Sequence, residues 1–191
     1  SKRDNYLVCH EGRVAWRDGD VEHHETVTGT GTLVAVCDGS GPGRAATETG
    51  KALMQLVSRA YMAAAPRDPR ESLSLYLEQI HGDLRQKAQG WGLKDTGIML
   101  GICWLVGSKV AWATVGDPKV YQFRMGQIEP LGVGVRTMKG DSLSTQRIID
   151  GSVNLGDDAR IHLLDGFNTG TLVAGRGDRF VLCTRGIWKS T

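Results

Sequence analysis

Three short stretches of this chain set an acid at the end of an apolar run. In "RDNYLV", Asp4 leads into such a run; in "VAVCDGSGPG", Asp38 and Gly39 end one; in "ATVGDPKVYQF", Asp117 sits in the turn between two. Carboxylates gathered at strand ends, with a backbone carbonyl beside them, form the oxygen-rich ligand set that a hard cation such as Mg2+ or Mn2+ takes. Gly39, next to Asp38, lets the main chain approach such an ion closely. For each acid alone, a turn cap or a solvated side chain is an equal explanation. The stretch "GPGR", residues 41–44, opens a helix. It either cradles an anion on main-chain N–H groups, with Arg44 adding charge, or is a plain turn.

The other chemistry-bearing residues are less organised. "EHHE", residues 22–25, offers two imidazoles and two carboxylates. Adjacent strand residues point to opposite faces, and the glycine-punctuated segment 18–31 reads as a solvated loop or weak hairpin. Cys9, Cys37, Cys103 and Cys183 form no C-x-x-C pair, which excludes a zinc knuckle or a thioredoxin-like motif. The last three lie in strand-like apolar runs, so the expectation is buried free thiols in a reducing, cytoplasmic setting. His10, His81 and His162 have no evident partner, and the five tryptophans read as packing residues. With 23 Lys plus Arg against 21 Asp plus Glu, the net charge of +2 gives no footprint for nucleic acid or an anionic membrane. No apolar run has the length of a membrane span.

Strands and helices must position these residues. The runs 5–9 and 12–18 read as short strands, and 32–37 as a strand buried on both faces. A helix is expected over 44–65, with Ala46, Leu53, Leu56, Val57, Ala60 and Ala64 near one face, closed by Pro66 and Pro69. A second is expected over 70–89 from the spacing of Leu73, Leu77, Ile80 and Leu84. Strands follow at 97–107, 109–116, 119–126 and 127–131, joined by tight turns at Gly107-Ser108 and Met125-Gly126. The segment 132–159 is loose, with a helical pattern at 143–150, and strands close the chain at 160–166, 170–175 and 178–184. Short turns between successive strands imply antiparallel sheet, and two mid-chain helices need a sheet face to cover. The 191 residues, 40% apolar, suit one α+β domain over 1–191 that starts and stops abruptly, as an excised domain would.

Taken in order, these stretches resemble the metal-dependent protein phosphatases of the protein phosphatase 2C type. "RDNYLV" resembles their N-x-D motif, and "VAVCDGSGPGRAATETGKAL" their D-G-x-G turn and following helix. "KDTGIMLGICWLVGSKVAWATVGDPKVYQFRMGQIEPL" is similar to their G-T-T-L strand, V-G-D-S-R turn and strand pair. "GRGDRFVLCTRGIWKS" resembles their G-D-x-x-L-L-C-S-D-G-L segment. The resemblance implies a four-layer αββα sandwich, two antiparallel sheets flanked by helices, with a binuclear metal centre at one edge. It implies hydrolysis of phosphoserine and phosphothreonine by a metal-activated water. Carried over, Asp38 is the catalytic metal-bridging acid, the Gly39 carbonyl binds the first ion, Asp4 the second, and Asp117 a weaker third.

The sequence departs from that pattern where it matters. Arg185 in "CTRGI" stands in place of the family's S-D-G aspartate, and the chain reaches Thr191 before a D-N motif. The phosphate-binding arginine precedes the first motif in the family, and here only Lys2 or Arg3 is available. Gly97 replaces a threonine after Thr96. A guanidinium about 5 Å from a divalent ion, at an effective dielectric of about 20, repels it by roughly 6–7 kcal/mol. The expectation is therefore at most one Mg2+ or Mn2+, with Arg185 replacing the second cation and pairing with Asp38 or Asp4. Three functions compete. The first is a pseudophosphatase that binds a phosphoprotein or signalling partner. The second is an active Mg2+- or Mn2+-dependent serine/threonine phosphatase, with Asp157 or Asp158 supplying the missing acid. The third is a scaffold sharing only the architecture.

Overall fold

The computed structural model describes residues 4–18, 21–27, 29–40, 44–63, 69, 73, 83, 86, 97–115, 118–131, 153–154 and 167–184. Eleven strands and one helix fall among them: β1 (Asp4–His10), β2 (Arg13–Asp18), β3 (Val21–Thr26), β4 (Thr32–Ser40), α1 (Arg44–Ala63), β5 (Gly97–Val106), β6 (Lys109–Val115), β7 (Lys119–Arg124), β8 (Gln127–Leu131), β9 (Val153–Asn154), β10 (Phe167–Val173) and β11 (Arg179–Cys183). An eight-stranded antiparallel sheet runs β10-β6-β5-β4-β1-β2-β3, with β9 also paired to β5. A three-stranded antiparallel sheet runs β11-β7-β8, and its outer strand β8 contains Pro130.

Period-two alternation decides what each face of the large sheet meets. Leu7, Cys9, Leu33, Ala35, Cys37, Leu100, Ile102 and Trp104 form one buried face, with Leu53, Met54, Val57 and Tyr61 of α1 packed on it. Full burial of each large apolar side chain stabilises by about 1.5–3 kcal/mol. On the other face, Cys103, Val110 and Trp112 join Val120, Phe180 and Leu182 of the small sheet. The described layers are therefore helix, sheet and sheet. The described residues do not show the fourth layer of the expected sandwich. Of the second expected helix, only Leu73, Asp83 and Gln86 are described, each helical, as is Pro69 before it, and Leu73 is buried in the α1 core.

The helix comes down hard on the sheet at Gly50. A Cβ there would lie 2.5 Å from Asn5 Nδ2, and Cys37 Sγ is 3.6 Å from the Gly50 carbonyl oxygen. Further along, the Gly12 N–H donates to Tyr61 Oη (3.2 Å), and Tyr61 Oη donates to the Gly31 carbonyl (3.0 Å). One side chain of α1 thus pins the β1–β2 turn and the approach to β4. All four cysteines are free and buried, as expected, and burial pushes the Cys9 and Cys103 thiols up to about 12.

Several boundaries differ from the sequence reading. The strand expected over 32–37 continues to Ser40, because Asp38, Gly39 and Ser40 pair with Met99, Ile98 and Gly97 of β5. Asp38 and Gly39 are therefore in the sheet, not in a turn after it. "EHHE" lies on a true strand, β3, paired with β2 along its length. Its side chains are mostly exposed, so no apolar alternation announced it; His23 alone is partly covered, stacked on Trp16 at 4.1 Å. β9 lies in the segment read as loose, while the strand expected at 160–166 and the helix at 143–150 lie outside the described residues. The Met125-Gly126 turn is as expected, both residues having positive φ (51° and 81°), the two-residue hairpin geometry.

An ion pair that the sequence reading missed fastens the connection before β11 to the end of β7. Asp178, its side chain 4% exposed, accepts from Arg124 Nη2 (2.5 Å), Gln122 Nε2 (2.8 Å) and the Gly175 N–H (2.8 Å). Arg124 Nη2 also donates to the Val173 carbonyl at the end of β10 (2.9 Å). The Arg124 guanidinium first, then the Gly175 N–H, hold the Asp178 carboxyl far below the usual carboxylate range.

Two outcomes follow from these contacts. Tyr61→Phe removes the acceptor of a buried N–H, and chemical denaturation should show a loss of about 1–3 kcal/mol. Asp178→Asn should destabilise at neutral pH. A depressed carboxyl stabilises above the unfolded-state value, about 4, and loses that contribution as pH falls through the lower folded-state value. Denaturation midpoints of wild type and Asp178→Asn should therefore converge progressively below about pH 4.

Candidate metal centre

The register of β1 against β4 sets Asp4 directly opposite Asp38, with Tyr6 opposite Val36 and Val8 opposite Val34 behind them. By strand parity these positions lie on the face turned away from α1, the face that the small sheet covers. Directly opposed positions hold their Cβ atoms about 4.5–5.5 Å apart, and like charges there repel. Asp38 is half-buried and engaged in interactions of its own.

The neighbouring strands build a corner around this pair. Asp38 faces Met99 on β5, and Val115, the last residue of β6, faces Leu100 one step away. Beyond that point β9 takes the place beside β5, Val153 pairing with Ile98 and Asn154 with Gly97. In the small sheet Lys119, which opens β7, pairs with Cys183, which ends β11. Pro118 and Leu182 reach the large sheet at Gly101, opposite Val36. A Cβ on Gly101 would lie 3.3 Å from Pro118 Cβ, 3.4 Å from Val36 Cγ2 and 4.0 Å from Leu182 Cδ2.

The topology thus brings together Asp4, Asp38, Gly39 and the residues flanking Asp117 and Arg185. Asp117 and Arg185 themselves lie outside the described residues, as do Lys2, Arg3, Asp157, Asp158 and the 41–43 stretch of "GPGR". Arg44 opens α1, and its side chain lies outside as well. The sequence reading did not single out Tyr6, and weighed Glu22 only as part of "EHHE". Burial first, then a hydrogen bond with Glu22, raises the Tyr6 phenol above its ordinary value. Tyr6 was legible by parity from Asp4; Glu22 required the β2–β3 register, in which it faces Arg17.

Among the described residues, no group of three or more His, Cys, Asp or Glu is placed to hold a metal ion. Of the acids expected to bind metal, the described strands pair the positions of Asp4 and Asp38, with Gly39 next along β4. Among the described residues, no helix is long and apolar enough to cross a membrane.

No family model matches the sequence, and no curated protein sequence matches it significantly. Solved structures match in fold. A serine/threonine phosphatase of S. agalactiae aligns over 99% of this chain and 75% of its own, with a TM-score of 0.69 and 14% identity. The fold is that of the bacterial serine/threonine phosphatases of the protein phosphatase 2C type. The catalytic domain of the phosphatase PstP, in complex with two manganese ions, aligns over 95% of this chain and 79% of its own (TM-score 0.65, 16% identity). PppA, a key regulatory component from Pseudomonas aeruginosa, aligns over 83% of this chain and 67% of its own (TM-score 0.61, 21% identity). The chain spans 58% of the length of another bacterial serine phosphatase. At identities of 14–21%, what these phosphatases share with this chain is the fold.

The small sheet approaches the large one closely at Gly101. Gly101→Val should overpack it and cost about 1–3 kcal/mol in urea denaturation.

Proposed function

We propose that this chain is a divergent protein phosphatase 2C-like domain that binds a phosphorylated or signalling protein partner and turns over little or no phosphoester. The observation that carries the reading is Asp4 opposite Asp38 in a phosphatase fold, in a sequence where Arg185 stands at the position of the family's next metal-binding acid. Asp38, Asp4 and the Gly39 carbonyl hold at most one Mg2+ or Mn2+. When bound, such an ion neutralises phosphoryl oxygens and lowers the pKa of a coordinated water. Arg185 pairs with Asp38 or Asp4 and takes the charge-balancing role of the second ion. Asp117, on the β6–β7 connection, adds a carboxylate to the same corner. Arg3 and Arg44 are the cations proposed for a phosphoryl group, Arg44 from the first turn of α1. The domain works as one unit in the cytoplasm. The description of PppA as a regulatory component supports a regulatory rather than metabolic partner.

One observation favours a second reading. PstP carries two manganese ions in the same fold, and the two opposed acids here are where an ion would be most needed. An active Mg2+- or Mn2+-dependent phosphatase would then draw its missing ligand from Asp157 or Asp158.

Calorimetric titration with Mn2+, run beside an assay on a phosphoserine peptide, separates the two. The expected result is at most one Mn2+ per chain, lost in Asp38→Asn, and no turnover above that variant. Arg185→Asp should raise Mn2+ affinity by about tenfold or more, since it removes a repulsion of several kcal/mol. Wild-type turnover that Asp38→Asn abolishes would overturn the pseudophosphatase reading.

A further inference from the structure

The face that carries Asp4 and Asp38 does not end at the corner. It continues along β1, β2 and β3 into a groove of about 350 Å3 lined by Val8, His10, Arg13, Ala15, His24 and Thr26. The register makes this a surface of paired strands, not a crevice between loops. Val8 pairs with Ala15 and Ala15 with His24; His10 pairs with Arg13 and Arg13 with Thr26. The floor is small and apolar, and the polar groups stand around it.

The polar groups are mostly donors. Arg13 is exposed and has no ion-pair partner among the described residues. Its guanidinium is permanently charged and suited to two-point binding of an oxyanion. His10 Nδ1 lies 2.7 Å from Thr32 Oγ1. With that hydroxyl donating, Nε2 carries the ring proton and is the remaining donor. His24 sits 3.5 Å from Glu22 Oε1, and Thr26 adds a hydroxyl. The one acid on the lining, Glu25, accepts from Trp16 Nε1 at 3.1 Å, so one of its oxygens is engaged.

We propose that this groove is an anion subsite for a second acidic group, phosphoryl or carboxylate, on the same peptide whose phosphoserine is held at the corner. The assignment rests on the phosphopeptide-binding reading above. From Asp4 to His10 is six residues along β1, about 20 Å. An extended peptide covers that distance in about six residues, so the two anions lie about six residues apart in its sequence. The second contact converts one weak site into two linked ones, whose affinities compound.

Fluorescence anisotropy with the full chain tests this. The probes are Gly/Ser peptides with one phosphoserine and, six residues to either side, a second phosphoserine, a glutamate or an alanine. The doubly phosphorylated peptide should bind about tenfold or more tightly than the alanine peptide, with glutamate telling whether a carboxylate suffices. Arg13→Ala should erase the gain and leave the alanine peptide unaffected, while Arg13→Lys keeps part of it. Equal affinities across the set, or a gain that survives Arg13→Ala, overturn the proposal. A second measurement separates it from the fate of the corner. Inorganic phosphate titrated into isotope-labelled protein should shift the amide signals of His10, Arg13 and His24, and not in Arg13→Ala. If the singly phosphorylated peptide does not bind at all, the functional reading fails, yet those phosphate shifts sustain an anion subsite. Their absence overturns it.

Discussion

Everything at the candidate centre depends on the register of β1 against β4. Seven residue pairs, from Asp4 and Asp38 to His10 and Thr32, fix it. A slip of one residue would turn Leu7 and Cys9 out of the α1 core, where both are fully buried. That penalty, at about 1.5–3 kcal/mol for a side chain such as Leu7, outweighs the roughly 0.2–1 kcal/mol associated with a cross-strand pair. The core therefore imposes two acids on one another whether or not they are comfortable.

Rigid elements surround this pair on both faces. α1 approaches through Gly50 until its backbone touches Asn5 and Cys37, the residues beside the two acids. From the other side, Pro118 and Leu182 press on Gly101 next to Val36. The acids are thus carried by paired strands, while the segments carrying Asp117 and Arg185 leave from the strand ends around them.

Much of this was legible before any coordinates. The continuous apolar run before Cys37 and the spacing of Leu53 and Val57 predicted a buried strand and a helix lying on it. Two-residue turns at Gly107-Ser108 and Met125-Gly126 predicted the hairpins. Asp4 and Asp38 were picked out by type and by position at strand ends; that they face each other could only come from long-range pairing across 33 intervening positions. Strand β3 was hidden because its side chains are nearly all exposed, so backbone pairing alone defines it. The extension of β4 through Asp38 and Gly39 was hidden for a related reason: an Asp-Gly pair reads as a turn unless a partner strand, here the start of β5, supplies hydrogen bonds. Asp178 gave no sign, since its partners Arg124 and Gln122 lie more than fifty residues away.

Both sheets leave outer strands, and two of these are ill suited to recruiting another chain. Pro130 in β8 has no amide hydrogen, which removes one link from any ladder that a neighbour would try to build there. β3 offers a neighbour four consecutive ionisable residues instead of an apolar strip. Crowded or heated samples of this protein should resist fibril growth seeded from these rims, so a partner gains more by engaging side chains on the sheet's face than by adding a strand to its border.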